Sequence, residues 1–155
     1  MQLLKKHDEI YWGELKGSSL GDECTFLCGS TIRVYQNREI YFENRLMVSG
    51  QMIHEWCDSF NYQGDRLTPS LPLLKKGHAY TIKAEMDLIP ASSVFLKIIF
   101  FDRYRKELSS VVSKTQSLDF IYPKEAYNYR VQLLNAGLEE MHFRYIMVKK
   151  QEKVT

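Results

Sequence analysis

The sequence predicts an all-β fold, an antiparallel β-sandwich of the jelly-roll kind, and three observations predict it. Apolar and polar residues alternate with a period of two in several segments, as they do in half-buried strands. Turn-forming residues separate these segments at intervals typical of sandwiches and barrels. Aromatic residues, which favour strands, make up 13% of the chain.

Residues 78–89 carry the clearest strand pattern. The apolar residues share one parity and the polar ones the other, so one face of this strand is predicted to be buried. The apolar set is Tyr80, Ile82, Ala84, Met86 and Leu88.

Similar alternation predicts a strand near the start, at Phe26, Cys28, Ile32 and Val34, and a last strand at Met141, Phe143, Tyr145 and Met147. Residues 123–137 are ambiguous, because Pro123 could open a helix that Gly137 closes. The alternation of Tyr127, Tyr129, Val131 and Leu133 with polar residues favours a strand. Turns are predicted at Gly17-Ser18-Ser19, Gln36-Asn37, Ser49-Gly50, Gln63-Gly64-Asp65, Lys76-Gly77, Pro90-Ala91-Ser92 and Asn135-Ala136-Gly137.

Residues 94–101 are apolar on both parities, although one face of such a strand normally meets water. A central strand covered by a long loop explains this somewhat better than a partner interface. For the interface, the candidate residues are Phe95, Ile99, Phe101, Leu71 and Leu73. The last two belong to residues 58–74, the longest stretch without periodicity, and long loops are often functional.

The length of 155 residues predicts a single domain, with its core roughly at residues 8–148. The net charge of +2 is too balanced to indicate nucleic acid as a partner. His7, Asp8 and Glu9 stand where a signal peptide would be apolar, and the greasy residues 94–101 are too short to span a bilayer. A cytosolic protein is expected.

Three cysteines form a poor disulfide framework, which fits reduced thiols. On a strand, Cys24 and Cys28 would lie roughly 13 Å apart on one face, too far to share a metal ion or a disulfide. They are predicted to be buried apolar residues.

No pattern supports catalysis. His54 and Cys57 are three residues apart and face opposite ways on a strand. The phosphate-binding loop and the zinc-binding His pair are missing from the sequence. The sequence therefore predicts no enzyme, no catalytic residue, no metal site and no cofactor.

Aromatic residues that lie close in sequence to planar polar ones support a binding function. Aromatic rings can stack on a sugar or a polar peptide while planar polar groups beside them form hydrogen bonds. An alternative at least as good places Trp56 and Tyr62 in the core and pairs Asp65 with Arg66 in a turn. The candidate binding residues are Trp56, Asn61, Tyr62, Gln63, Asp65, Arg66, Asp102, Arg103 and Tyr104.

Six motifs in order over residues 8–148 resemble the third accessory protein of the bacterial accessory Sec system. They are Phe42-Glu43-Asn44-Arg45-Leu46-Met47, Ile53-His54-Glu55-Trp56, Asn61-Tyr62-Gln63-Gly64-Asp65-Arg66, Leu71-Pro72-Leu73-Leu74-Lys75, Phe101-Asp102-Arg103 and Leu133-Leu134-Asn135-Ala136-Gly137.

The resemblance implies a small non-enzymatic cytoplasmic protein of Gram-positive bacteria, with a fold similar to carbohydrate-binding modules. Such a protein assembles with two larger accessory proteins, one glycosyltransferase-like and one acetyltransferase-like. The complex helps deliver glycosylated serine-rich repeat adhesins to a dedicated Sec motor ATPase. An adaptor is therefore expected, with peripheral contact at the inner face of the membrane left open. The alternative is a free-standing carbohydrate-binding module for N-acetylglucosamine-type glycans.

Overall fold

A computed structural model describes residues 9–13, 25–26, 28–58 and 71–151. Within these residues the chain forms nine strands and no helix. The strands are β1 (Thr31–Val34), β2 (Ile40–Glu43), β3 (Met52–Cys57), β4 (Ala79–Ile89), β5 (Val94–Phe101), β6 (Glu107–Ser113), β7 (Ser117–Ile121), β8 (Asn128–Asn135) and β9 (Glu140–Lys150). No helix in the described part of the chain is long and apolar enough to cross a membrane.

Two antiparallel sheets build the fold. The five-stranded sheet has the order β1-β2-β9-β4-β7 and the four-stranded sheet the order β3-β8-β5-β6. Alternate side chains of the two sheets meet in one apolar core. The predicted antiparallel β-sandwich is confirmed.

Strands β4 and β8 follow the predicted alternation. In β4, Tyr80, Ile82, Ala84 and Met86 are buried. In β8, Tyr129, Val131 and Leu133 are fully buried, which confirms a strand rather than a helix. Tyr127 departs from the prediction, because it precedes the strand and is 52% exposed.

Strand β9 follows the predicted parity only as far as Phe143. The pairing with β4 shifts by one residue, since Glu85 lies opposite Tyr145 while Met86 lies opposite Phe143. Arg144 is therefore the extra residue of a β-bulge. Beyond it Ile146 is fully buried, and the prediction that Tyr145 and Met147 belong to the buried set is wrong.

The predicted first strand is also corrected. Strand β1 begins only at Thr31, and Cys28 lies in a turn before it with an exposed thiol. The predicted burial is wrong for Cys28, while Cys24 lies outside the described residues. Val34 is 59% exposed because β1 is a short strand at the edge of its sheet.

Five of the predicted turns are present, at Gln36-Asn37, Ser49-Gly50, Lys76-Gly77, Pro90-Ala91-Ser92 and Asn135-Ala136-Gly137. The backbone of Gly50 has a φ of 89°, a left-handed conformation that favours glycine. The predicted turns at Gly17-Ser18-Ser19 and Gln63-Gly64-Asp65 lie outside the described residues.

Candidate functional site

The outer face of the four-stranded sheet carries most of the predicted partner interface. Strand β5 runs between β8 and β6. Its even-numbered residues are buried in the core, and because side chains alternate along a strand, its odd-numbered residues point outward. Phe95 and Phe101 are half-buried there, and Ile99 is only 7% exposed. We call this surface, formed by Phe95, Lys97, Ile99, Phe101, Arg130, Gln132 and Glu55, the four-stranded face.

Polar side chains beside β5 are held in fixed positions on this face. Arg130 Nη1 donates to Glu55 Oε1 (3.0 Å), and Gln132 Nε2 donates to Glu55 Oε2 (2.6 Å). The Arg130 guanidinium also lies 5.7 Å from the centre of the Phe101 ring. Glu55 has a side chain only 10% exposed, and these bonds satisfy both of its oxygens.

The other two predicted interface residues lie apart from this face. Leu71 is 6% exposed and belongs to the core, and its backbone N–H donates to the carbonyl of Cys57 (3.1 Å). Leu71 is therefore no surface residue. Leu73 is 87% exposed, in the loop before β4.

Trp56, a predicted binding residue, lies in the core. It is 3% exposed, its indole N–H donates to the Tyr11 carbonyl (2.8 Å), and its ring lies 5.5 Å from that of Phe143. The core alternative therefore describes its position, and its ring does not face a surface ligand. Asn61, Tyr62, Gln63, Asp65 and Arg66 lie outside the described residues.

The predicted binding residues Asp102, Arg103 and Tyr104 form the turn between β5 and β6. Asp102 Oδ1 accepts hydrogen bonds from the backbone N–H groups of Tyr104 (2.7 Å) and Lys106 (3.0 Å), so this carboxylate shapes the turn. Tyr104 is 75% exposed. The Arg103 guanidinium lies 5.3 Å from the centre of the Tyr127 ring, on a neighbouring loop.

Lys76 makes this end of the sandwich a cationic and aromatic cluster. Its Nζ lies 4.2 Å from the centre of the Tyr127 ring. The cluster of Lys76, Arg103, Tyr104 and Tyr127, which we call the basic end, offers cations and ring faces rather than a free carboxylate.

A shallow cleft on the five-stranded sheet was not predicted. Its volume is about 530 Å³, and Tyr35, Gln36, Asn37, Glu39 and His142 line it. His142 Nε2 and Glu39 Oε1 are 2.6 Å apart, and the rings of Tyr35 and His142 lie 5.6 Å apart. The sequence signal is Tyr35-Gln36-Asn37, an aromatic ring followed by two amides, of which Gln36-Asn37 predicts only a turn.

His54 is buried, and both of its ring nitrogens have hydrogen-bond partners. Its Nε2 lies 2.7 Å from the Trp12 carbonyl and must donate to it, so Nδ1 accepts from the Thr25 hydroxyl (2.6 Å). Burial lowers the pKa of His54 to about 3. The imidazole is therefore neutral and structural. Among the described residues, no cluster of His, Cys, Asp and Glu is suited to hold a metal ion.

Comparison with known proteins identifies a family whose sequences match this chain. The family described as "Accessory Sec secretory system ASP3" matches residues 25–150. An accessory Sec system protein of this kind from Streptococcus gordonii is 51% identical over 150 residues, which is 95% of this chain and 94% of its own length. A counterpart from Staphylococcus aureus is 36% identical over 126 residues, which is 81% of this chain and 39% of its own length.

Chains in solved structures of related complexes also match this chain. A chain in the crystal structure of accessory secretory proteins 1, 2 and 3 of Streptococcus pneumoniae has a TM-score of 0.85 and 35% identity, covering 97% of this chain and 100% of its own. A chain of the Glycosylation Associate Protein complex of Streptococcus agalactiae has a TM-score of 0.79 and 30% identity, covering 96% of this chain and 47% of its own. The CBM22-1 and GH10 modules of a Clostridium thermocellum xylanase match at a TM-score of 0.51 and 15% identity, which shows the fold alone.

Proposed function

The chain belongs to the family of third accessory proteins of the accessory Sec system, and on that premise we propose that it is a non-catalytic adaptor of the export complex. It is a component of a secretion system. As an adaptor it docks the two larger accessory proteins in the cytoplasm. The assembly then helps deliver glycosylated serine-rich repeat adhesins to the dedicated Sec motor.

The four-stranded face carries this proposal. It combines outward apolar rings, Phe95 and Phe101, with an arginine that Glu55 and Phe101 already hold in place. Aromatic residues and arginine are enriched at the centres of protein interfaces, and a side chain fixed in advance loses little entropy on binding. The related S. pneumoniae chain was solved together with accessory proteins 1 and 2, which supports partners of this kind.

The test is affinity for each purified accessory protein, measured with the full chain. Phe95→Lys and Phe101→Lys put a charge on the face, and we expect each to weaken binding of one accessory protein by about 100-fold. Ile121→Lys is the matched control, because Ile121 is 64% exposed on β7 of the other sheet. Thermal melting checks that each variant folds. Unchanged affinity in both face variants would remove the face from the proposal, and a wild-type chain that bound neither protein would sink the adaptor itself.

A second candidate function is recognition of N-acetylglucosamine-type glycans. The cleft beside Tyr35 favours it, because an aromatic ring, two amides, a carboxylate and an imidazole meet there. A ring can stack on the apolar face of a sugar while these polar groups bind its hydroxyls.

Titration with N-acetylglucosamine, followed by NMR, tests this candidate. Shifts at Tyr35 and His142 that disappear in Tyr35→Ala would support it. Tyr104→Ala probes the turn of Asp102, Arg103 and Tyr104, so that the titration separates the two ring sites. A spectrum unchanged at millimolar sugar would rule out both.

A further inference from the structure

The loop of residues 44–51 joins β2 in one sheet to β3 in the other and holds two apolar side chains in solvent. Leu46 is 84% exposed and Val48 is 70% exposed. Single exposed apolar residues are common on protein surfaces. Here, however, the loop that bears them is fastened to the sandwich at both ends.

Asn44 holds the first half of the loop of residues 44–51 in position. Its side chain is buried at 1% exposure. Its Nδ2 donates to the Cys28 carbonyl (2.9 Å) and to Ser30 Oγ (2.9 Å), and its Oδ1 accepts from the Leu46 N–H (2.9 Å). The Nδ2 bonds therefore anchor Asn44 to the turn before β1, and the Oδ1 bond positions Leu46.

Asn135, at the end of β8, fastens the second half. It is 4% exposed, and its Nδ2 donates to the carbonyls of Met47 (3.2 Å) and Val48 (2.9 Å). Its backbone carbonyl accepts from the Gly50 N–H (2.8 Å), and its N–H donates to the Gln51 carbonyl (2.8 Å). Four loop residues therefore bond to one asparagine.

The surroundings of the loop are acidic and ordered. Arg45 Nη1 donates to Glu43 Oε2 (2.8 Å), and its Nη2 donates to Glu140 Oε2 (2.9 Å). Glu139 lies 4.0 Å from Arg45 Nε. Three carboxylates surround one guanidinium, so this rim keeps a net negative charge.

We propose that Leu46 and Val48 form a second docking site of the adaptor, which inserts into an apolar pocket of one of the two larger accessory proteins, bordered there by Lys or Arg. A loop held rigid before binding avoids the entropy cost of ordering, and the acidic rim selects a basic counterpart. Leu46 and Val48 are not among the residues of the four-stranded face, and this site rests on the proposed function only for the choice of partner.

Two other occupants fit the observations less well. An anionic membrane surface would repel the carboxylates around Arg45. A second copy could offer its basic end, but contact between opposite ends repeats without closure and builds filaments.

The experiment measures the affinity of the full chain for each purified accessory protein. Leu46→Asp and Val48→Asp are expected to weaken one of them by about 10- to 100-fold. Glu139→Lys should weaken the same partner, and 0.5 M salt should reduce the difference between this variant and the wild type because it screens the charges. Ile121→Asp, at an aliphatic position that is 64% exposed, is expected to bind normally.

Wild-type affinity of both loop variants for both accessory proteins would overturn the proposal. Self-association in light scattering that Leu46→Asp abolishes would overturn it in favour of a second copy, and binding to anionic phosphatidylserine vesicles would do so in favour of a membrane. If Phe95→Lys weakens binding while the loop variants do not, the adaptor survives and this site fails alone.

Discussion

At the scale of single residues, folding strongly lowers the proton affinity of His54. The ring stacks on Trp12 with the two ring centres 4.0 Å apart, and both of its nitrogens are hydrogen-bonded. Burial lowers its pKa from 6.5 to about 3, so the folded chain holds a neutral imidazole where the unfolded chain would bind a proton in mild acid. The stabilisation from His54 is therefore complete above pH 6.5 and is lost as the pH falls toward 3.

The free energy of unfolding should fall more steeply with acid in the wild type than in His54→Gln. Between pH 6 and 4 the difference in slope should approach about 1.4 kcal/mol per pH unit, which corresponds to one proton. Urea denaturation of both proteins across pH 4 to 7.5 measures it. The variant retains the other three of the four histidines, so their titration cancels. Parallel pH profiles would contradict the buried, neutral state of His54.

The sequence could predict the faces of His54 and Cys57 but not the setting of Trp56. Opposite faces follow from strand geometry alone. The position of Trp56 depends on the Tyr11 carbonyl, 45 residues earlier, which accepts its indole N–H. An aromatic residue beside polar ones is compatible with a core or with a binding surface until such distant partners are known.

At the scale of elements, β9 shows what an alternation pattern can and cannot predict. Its presence as the last strand could be predicted, but the bulge at Arg144 could not. Residues 145–148 are Tyr, Ile, Met and Val, so either parity supplies an apolar face. Only the pairing with β4, which skips Arg144, selects Ile146 for the core.

Removing the bulge should keep the buried face of β9. Deletion of Arg144 would leave Tyr145 opposite Glu85 and Ile146 opposite Ala84, so Ile146 stays inward, and we expect the loss of stability to stay within about 0.5–3 kcal/mol. Arg144→Ala breaks only the exposed ion pair with Asp87 and should cost less than about 1 kcal/mol. Chemical denaturation compares the two. A deletion variant that failed to fold would mean that the bulge itself is required for the pairing of β9 with β4.

The loop of residues 44–51 shows why the candidate docking surfaces were harder to predict than the fold. Phe95, Ile99 and Phe101 were found because β5 is apolar on both parities, which is a local pattern. Leu46 and Val48 lie in a segment with no periodicity, and their rigid display depends on Asn135, 87 residues beyond Val48. Contacts of that range leave no signal in a single sequence.

At the scale of the whole molecule, residues 9–13 tie the two sheets together. Ile10 exchanges two backbone hydrogen bonds with Ile146 of the five-stranded sheet (2.8 and 2.9 Å). The carbonyl of Trp12 accepts from His54 of the four-stranded sheet. The Trp12 ring, 2% exposed, also packs on Phe143, with the ring centres 5.2 Å apart. One short segment therefore contacts both layers of the sandwich.

Trp12→Ala should consequently weaken both sheets at once. We expect a loss of about 3–5 kcal/mol, as for other large aromatic residues removed from a core. In native-state hydrogen exchange, the amides of β3 and β9 should lose protection together, because the ring that packs on both His54 of β3 and Phe143 of β9 is gone. Phe95→Ala, on the outer face, is the control and should leave both patterns nearly unchanged. Lost protection in β3 with β9 intact would show that the sheets open independently.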